Sequence, residues 1–225
     1  MIMRIFKTFL GSLIVAVGIV IFLETDQGGD PLTVLYQGFI NQMDRFLGRR
    51  VQFGTVSAVS GFIILLIAFT IDRKKIGIGS FINSISVGIF INMLYSLDAG
   101  RFVPDLMMLN LFTGPIILGI GLAIYLSANL GAGPTEAIML IIVERTGIGL
   151  KYVRIALDAS FVGIGLLLGA PFGWGIVTGV LLIGPTIEYA LKFYEKTKKP
   201  NMQPTGSSLL EAGAVVSIKK RRPKE

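Results

Sequence analysis

The chain has no cysteine and no histidine. Disulfides, the usual zinc sites, haem ligation through either residue, and histidine-based acid–base or triad chemistry are therefore excluded. An enzyme would have few tools left, since Asp158, Glu136 and Glu188 would have to do all the work. Charge is scarce as well, at 16% of 225 residues, while 52% are hydrophobic and come in long blocks instead of the mixed pattern of a soluble core. The composition reads as an integral membrane protein that is not an enzyme and carries no cofactor or metal.

The net charge of +7 could suggest nucleic acid, but residues 195–225 hold +5 of it. Membrane topology explains such a local excess more simply, so nucleic acid is not an expected partner. The tail, with "KTKKP" and "KKRRPKE", reads as a positive-inside retention signal or as a binder of anionic lipid headgroups.

Spanning a bilayer takes about 20 apolar residues. Six blocks qualify or nearly do: 8–23, 54–71, 77–97, 109–130, 150–169 and 174–194. The first follows "MIMRIFK" and ends in Glu24, Thr25 and Asp26 without a small-x-small cleavage site, so it reads as a retained helix. Two shorter segments, 31–43 and 134–143, cover only about 15–20 Å as helices and cannot cross alone. In the first of them Leu32, Leu35, Tyr36, Phe39, Ile40 and Met43 recur at helical spacing opposite Thr33, Gln37 and Asn41. That pattern fits an interfacial or re-entrant helix. With six crossings, Arg4 and Lys7, Arg73 to Lys75, Arg145 and Lys151, and the basic tail share one side, which makes both termini cytoplasmic. Arg45, Arg49 and Arg50 are discordant with this orientation.

The two halves echo each other. At an offset of 103, Gly11, Gly18, Gly28 and Pro31 meet Gly114, Gly121, Gly131 and Pro134. After a seven-residue shortening, Gly77, Gly79 and Gly88 meet Gly173, Gly175 and Gly184 at an offset of 96, with Asn92 opposite Glu188. Duplication explains this pattern. The expected fold is an all-α polytopic membrane bundle: six transmembrane helices in two inverted three-helix repeats, 1–107 and 108–194, each with one short helix, followed by a tail over 195–225. Three spans per half are an odd number, so the second half enters upside down, an arrangement common in transporters. Pro31 and Pro134, preceded by Asp30 and Gly133, mark helix starts. Their free N–H groups could hold an anionic group or a carboxylate if the helices dip inward, or the helices could lie flat as anchors.

The turn Gly131, Gly133, Pro134 and Glu136, and the later run "GWGIVTGVLLIGPTIE" with Gly184, Pro185 and Glu188, resemble the YitT/YczE group of bacterial membrane proteins. The similarity covers residues 8–194. It implies a multi-span protein of the bacterial cytoplasmic membrane and brings no established substrate or reaction, some members being associated with regulatory or biosynthesis-supporting roles. This chain departs from the pattern in its first half, where Thr33 stands opposite Glu136 and Ile89 opposite Pro185.

Charges inside the segments are the candidate site. Asp158 falls about 12 Å along its helix, near the bilayer middle, where a carboxylate costs about 2.5–3.5 kcal/mol. Arg154 lies one turn earlier on the same face. The two read as a structural ion pair, or as a proton or cation site whose counter-ion or carboxylate clamp is Arg154. Glu188 beside Pro185 is either part of a cation site or a surface pair with Lys192. Glu136 reads as a helix-dipole partner or a site group. Asn83 and Asn92 bridge helices or line a path. Expected partners are membrane lipid and a small solute or proton, with a homo-oligomer left open. Two functions follow: a small-solute transporter or permease-like protein with a midplane site between the halves, or a non-transporting scaffold or regulator that recruits a cytoplasmic partner.

Overall fold

The computed structural model of the chain describes residues 1–73, 76–102 and 106–197. The basic tail beyond residue 197, together with Lys74 and Lys75, lies outside the described residues. These comprise eight α-helices: α1 (Ile2–Leu23), α2 (Pro31–Leu47), α3 (Phe53–Ile71), α4 (Ile78–Ser96), α5 (Met107–Ser127), α6 (Pro134–Thr146), α7 (Leu150–Leu167) and α8 (Trp174–Thr197). A short 3-10 turn at Ala99–Phe102 follows α4. Five helices, α1, α3, α4, α5 and α8, are long and apolar enough to cross a membrane. The sixth expected segment forms α7, which has 18 residues but carries Lys151, Arg154 and Asp158.

The surface is apolar where that of a soluble protein is polar, and several polar side chains lie inside with the apolar core. On α3, Ile63, Leu66 and Ile67 are exposed, while Ser57 on the same helix, Asn83 and Ser84 on α4, and Thr33 on α2 are buried. Lipid accepts the first set, and the second must be satisfied by protein or by a bound molecule.

Helix ends follow local chemistry. The first helix begins at Ile2, six residues before the apolar block, with Lys7 lying over the Tyr194 ring at 4.7 Å. The short helices run past their apolar patterns to Leu47 and Thr146, where Gly48 (φ 63°) and Gly147 (φ 70°) stop them in the left-handed conformation. Asp44, Arg45, Glu144 and Arg145 extend those last turns without interrupting the helix, and periodicity alone does not reveal that.

Close backbone contact organises the centre. Gly11 and Gly18 of α1 lie against Gly121 and Gly114 of α5. A methyl at Gly11 would come within 2.6 Å of the Tyr125 nitrogen, and one at Gly18 within 2.5 Å of the Leu118 nitrogen. Small residues of this kind let helices approach in lipid, where dispersion replaces the hydrophobic effect as the source of association. Because the earlier glycine of α1 meets the later glycine of α5, the two helices are antiparallel. Around this pair α4 packs on α1, α8 on α5 and α3 on α4, while α2 lies along α7 and α6 along α3. Val15, Ile19, Val87, Leu118 and Ile183 from α1, α4, α5 and α8 form one apolar cluster.

The turns that lead into α2 and α6 share a backbone conformation. Asp26 (φ 52°) and Gly28 (φ 75°) in one, and Asn129 (φ 52°) and Gly131 (φ 126°) in the other, all have positive φ. Each turn is clasped by a helix of the other half. The N–H of Gly175, at the start of α8, donates to the Gln27 carbonyl at 2.9 Å. The N–H of Gly79, at the start of α4, donates to the Leu130 carbonyl at 3.0 Å.

Candidate functional site

The clasped turns aim both short helices inward. Pro31 and Pro134 occupy the first turn of α2 and α6, with Asp30 and Gly133 at the N-cap positions in extended conformation. Asp30 makes no side-chain capping bond; its carboxylate instead accepts a hydrogen bond from the Thr33 hydroxyl. Glu136, at the third helical position of α6, folds back so that its carboxylate covers Gly133, where a Cβ would collide with it. A carboxylate therefore sits at the positive end of each short helix, a favourable placement for a charge taken out of water.

These two ends meet Arg154 and Asp158 of α7. The Arg154 Nε donates to Asp158 Oδ2 at 2.8 Å, and its Nη1 lies 3.7 Å from Glu136 Oε1. Facing pairs four residues apart on one helix turn is normal geometry, but here the guanidinium also spans from α7 to α6. Burial pushes the Asp30 carboxyl, in the turn before α2, above its ordinary value, while the Thr33 hydroxyl and the Arg154 guanidinium pull it back.

Asp30, Glu136, Arg154 and Asp158 line a cavity of about 110 Å³ to which all eight helices contribute. That is room for several waters or a solute of a few heavy atoms. Thr33, Ser57, Asn83, Ser84 and Thr135 add polar groups, and Val15, Ile19, Val87, Leu118 and Ile183 supply an apolar wall. Ser12 donates to Asn83 Oδ1 at 2.8 Å and so fixes that amide from α1. The Ser84 hydroxyl is buried without a hydrogen-bond partner. Tyr36 and Phe53 also reach the cavity, their rings edge to face at 6.2 Å.

Asp158, Arg154, Glu136, Asn83 and Pro134 are thus brought together at the cavity. Pro31 is buried one residue from it, beside Asp30. Asn92 is elsewhere and donates to Thr55 at 2.9 Å, joining α4 to α3. Glu188 is also elsewhere, exposed and paired with Lys192 at 2.5 Å. Sequence reasoning read Asp30 only as a helix cap and missed it as a site residue. The available signal was its position, one helical turn before Thr33, which aligns with Glu136. Ser57 carries no sequence signal that separates it from any other serine in a span, whereas Ser84 belongs to the polar group around Asn83 that marks the third span.

The chain is similar to the "Uncharacterized membrane protein YczE" of Bacillus subtilis, with 27% identity over 186 residues, 81% of this chain and 83% of that protein. An "Uncharacterized protein" of Haemophilus influenzae is 27% identical over 181 residues, 79% of this chain and 78% of its own. The "Uncharacterized protein YyaS" of Bacillus subtilis is 23% identical over 190 residues, 83% of this chain and 92% of its own. No solved structure matches. The model of a family of unknown function, DUF6198, matches residues 2–192, so the chain belongs to that family.

Proposed function

We propose that the protein is a small-solute carrier, transporter or permease-like, of the bacterial cytoplasmic membrane. The observation that carries this reading is the cavity on which both short-helix N-termini and the Arg154–Asp158 pair converge. Intramembrane charge is expensive and is kept where it serves a path or a site. α7 acts as the sixth span, with Arg154 and Asp158 turned to that cavity. The reading is of a carrier and not of an enzyme.

Inverted repeats support it. Under the 103-residue offset the contact of Gly11 with Gly121 maps onto that of Gly114 with Gly18, as a twofold axis in the membrane plane requires. Exchanging the halves also turns α4 on α1 into α8 on α5, and α2 on α7 into α6 on α3. The two positive-φ turns and the two clasping hydrogen bonds exchange in the same way. Six crossings keep both termini cytoplasmic, in line with Arg4 and Lys7, Arg73 to Lys75, and Arg145 and Lys151, and against Arg45, Arg49 and Arg50. The scaffold reading rests on the tail, which lies outside the described residues.

The test is solute flux into proteoliposomes containing the purified protein, with and without a pH gradient. Saturable, protein-dependent uptake that Asp158→Asn lowers at least about tenfold is expected. Flux equal to that of empty liposomes across cationic, anionic and neutral small solutes would remove the carrier reading.

A further inference from the structure

The charge balance of the cavity names a ligand class. Three carboxylates, Asp30, Glu136 and Asp158, face one guanidinium, Arg154. The N-termini of α2 and α6 add about half a positive charge each. With all three carboxylates ionised, about one negative charge is left over in a site walled by protein, where it attracts a cation more strongly than in bulk water. Both helix ends, the natural seats for an anionic solute, are already occupied by the protein's own carboxylates. An anion entering here would meet those carboxylates and find only a guanidinium that is already engaged by two of them.

The remaining wall narrows the class. Among the described residues no three His, Cys, Asp or Glu side chains stand close enough to hold a metal ion, so the carboxylates ring the space without forming a metal cage. Ser84 is only 6% exposed, lines the cavity and has no hydrogen-bond partner for its Oγ. A buried hydroxyl in that condition is left waiting for a donor or acceptor from a bound molecule. Tyr36 and Phe53 offer aromatic surface of the kind that attracts organic cations. Val15, Ile19, Leu118 and Ile183 offer nothing to a hydrated inorganic ion, but they accommodate a short hydrocarbon body.

We propose that this cavity binds a small organic monocation, an amine with a short apolar body, through Asp30, Glu136 and Asp158, with Arg154 as the resident cation that shares these carboxylates until the ligand arrives. The inference rests on the carrier reading for its biological purpose, although binding itself does not require transport. On entry the ammonium donates hydrogen bonds to one or more carboxylates, and Arg154 retains the rest. The apolar body lies against the α1 and α5 side chains, and the Ser84 hydroxyl gains a partner.

Binding is measured on the purified full-length protein by calorimetric titration, with n-propylammonium and propionate as a pair of similar size and opposite charge, and with potassium as an inorganic cation. n-Propylammonium should bind saturably, while propionate and potassium should not. Asp158→Asn and Glu136→Gln should each weaken n-propylammonium at least about tenfold, as expected for loss of a charged hydrogen-bond partner. Arg154→Gln should retain or strengthen it. Ser84→Ala, a small change in a position that supports no ion pair, should weaken it several-fold and covers the case in which a charge variant fails to fold. Propionate binding that disappears in Arg154→Gln would overturn the proposal and make the site an anion clamp. Potassium binding equal to that of n-propylammonium, or no binding of either cation, would overturn it too. Binding without flux in proteoliposomes would remove the carrier reading and leave the ligand class standing. Flux of an anion without cation binding would do the reverse.

Discussion

Under the repeat offset Asp30 aligns with Gly133 and Thr33 with Glu136, so the first half carries its acid one helical turn earlier than the second. Read as letters, the site acid is missing from the first half. In space it is not, because the Glu136 carboxylate folds back over Gly133 and reaches the place where the first half puts Asp30. Thr33, standing in for Glu136, turns its hydroxyl to Asp30. This equivalence predicts that Glu136→Thr alone loses n-propylammonium affinity by about tenfold, while the double change Gly133→Asp with Glu136→Thr recovers most of it. Gly133 has φ −67°, which any residue adopts, and the nearest obstacle to a side chain there is Glu136 itself. Calorimetric titration of the two variants checks this, and equal losses in both would mean that the acids are not interchangeable. Asp30 also keeps its proton to higher pH than a free aspartate because it is buried. Lowering the pH therefore removes one negative charge of the site early, and the same titration should show weaker binding of the cation. Thr33 and Tyr36 from α2, Glu136 from α6, and Arg154 and Asp158 from α7 face this carboxyl, while α8 passes it with Gly179. Arg154 and Asp158 were legible from sequence because charge in an apolar block has few explanations. Asp30 was not, since an aspartate before a proline-led helix already has a sufficient reason to be there.

Among the helices, one pairing breaks the exchange of halves. α3 and α4 touch backbone to backbone, with Gly54 against Gly88 and Ala58 beside them, but no comparable packing joins α7 to α8 among the described residues. The aligned residues explain the difference: Ala58 corresponds to Arg154 and Gly61 to Leu157, and these larger side chains do not fit a glycine-tight crossing. Gly184, the counterpart of Gly88, accordingly faces open space. Gly88→Val should abolish folded protein, since even a methyl would collide with the Gly54 carbonyl. Gly184→Val should leave the yield of folded protein within about twofold of the parent. If the halves rock so that α7 closes on α8 in the alternate state, the same variant should lower flux by about tenfold while leaving n-propylammonium binding in place. Yield by size-exclusion profile, followed by flux, reads both outcomes, and a Gly184→Val protein that fails to fold would contradict the open arrangement. The long helices were legible from apolar length to within a few residues, except that α1 begins six residues before its block. The difference between the two helix pairs was not, because glycine repeats mark where backbones can approach and are silent on what the facing helix offers.

Across the whole molecule, the account depends on two turns far apart in the chain sharing one interior space. Antiparallel α1 and α5 supply the frame, the starts of α4 and α8 clasp the turns, and α2 and α6 deliver Asp30 and Glu136 to Arg154 and Asp158. The spaced glycines and prolines that suggest a duplication were legible. The choice between flat and inward short helices was not, since the amphipathic face of α2 suits a membrane surface as well as a protein interior, and the packing of α2 on α7 and of α6 on α3 is what favours the inward placement. The absence of native cysteine makes a direct test available. Single cysteines at Thr33 and at Glu136 are treated, from each side of sealed vesicles, with a small membrane-impermeant thiol reagent, and a cysteine at Pro200 marks the cytoplasmic face. The account predicts fast labelling of position 200 from the cytoplasmic side only. Positions 33 and 136 should label slowly, and n-propylammonium should protect position 33, and position 136 only at a concentration about tenfold higher because that cysteine replaces a binding carboxylate. Labelling of positions 33 and 136 each from its own opposite face, at the rate of an exposed loop and unaffected by n-propylammonium, would contradict it.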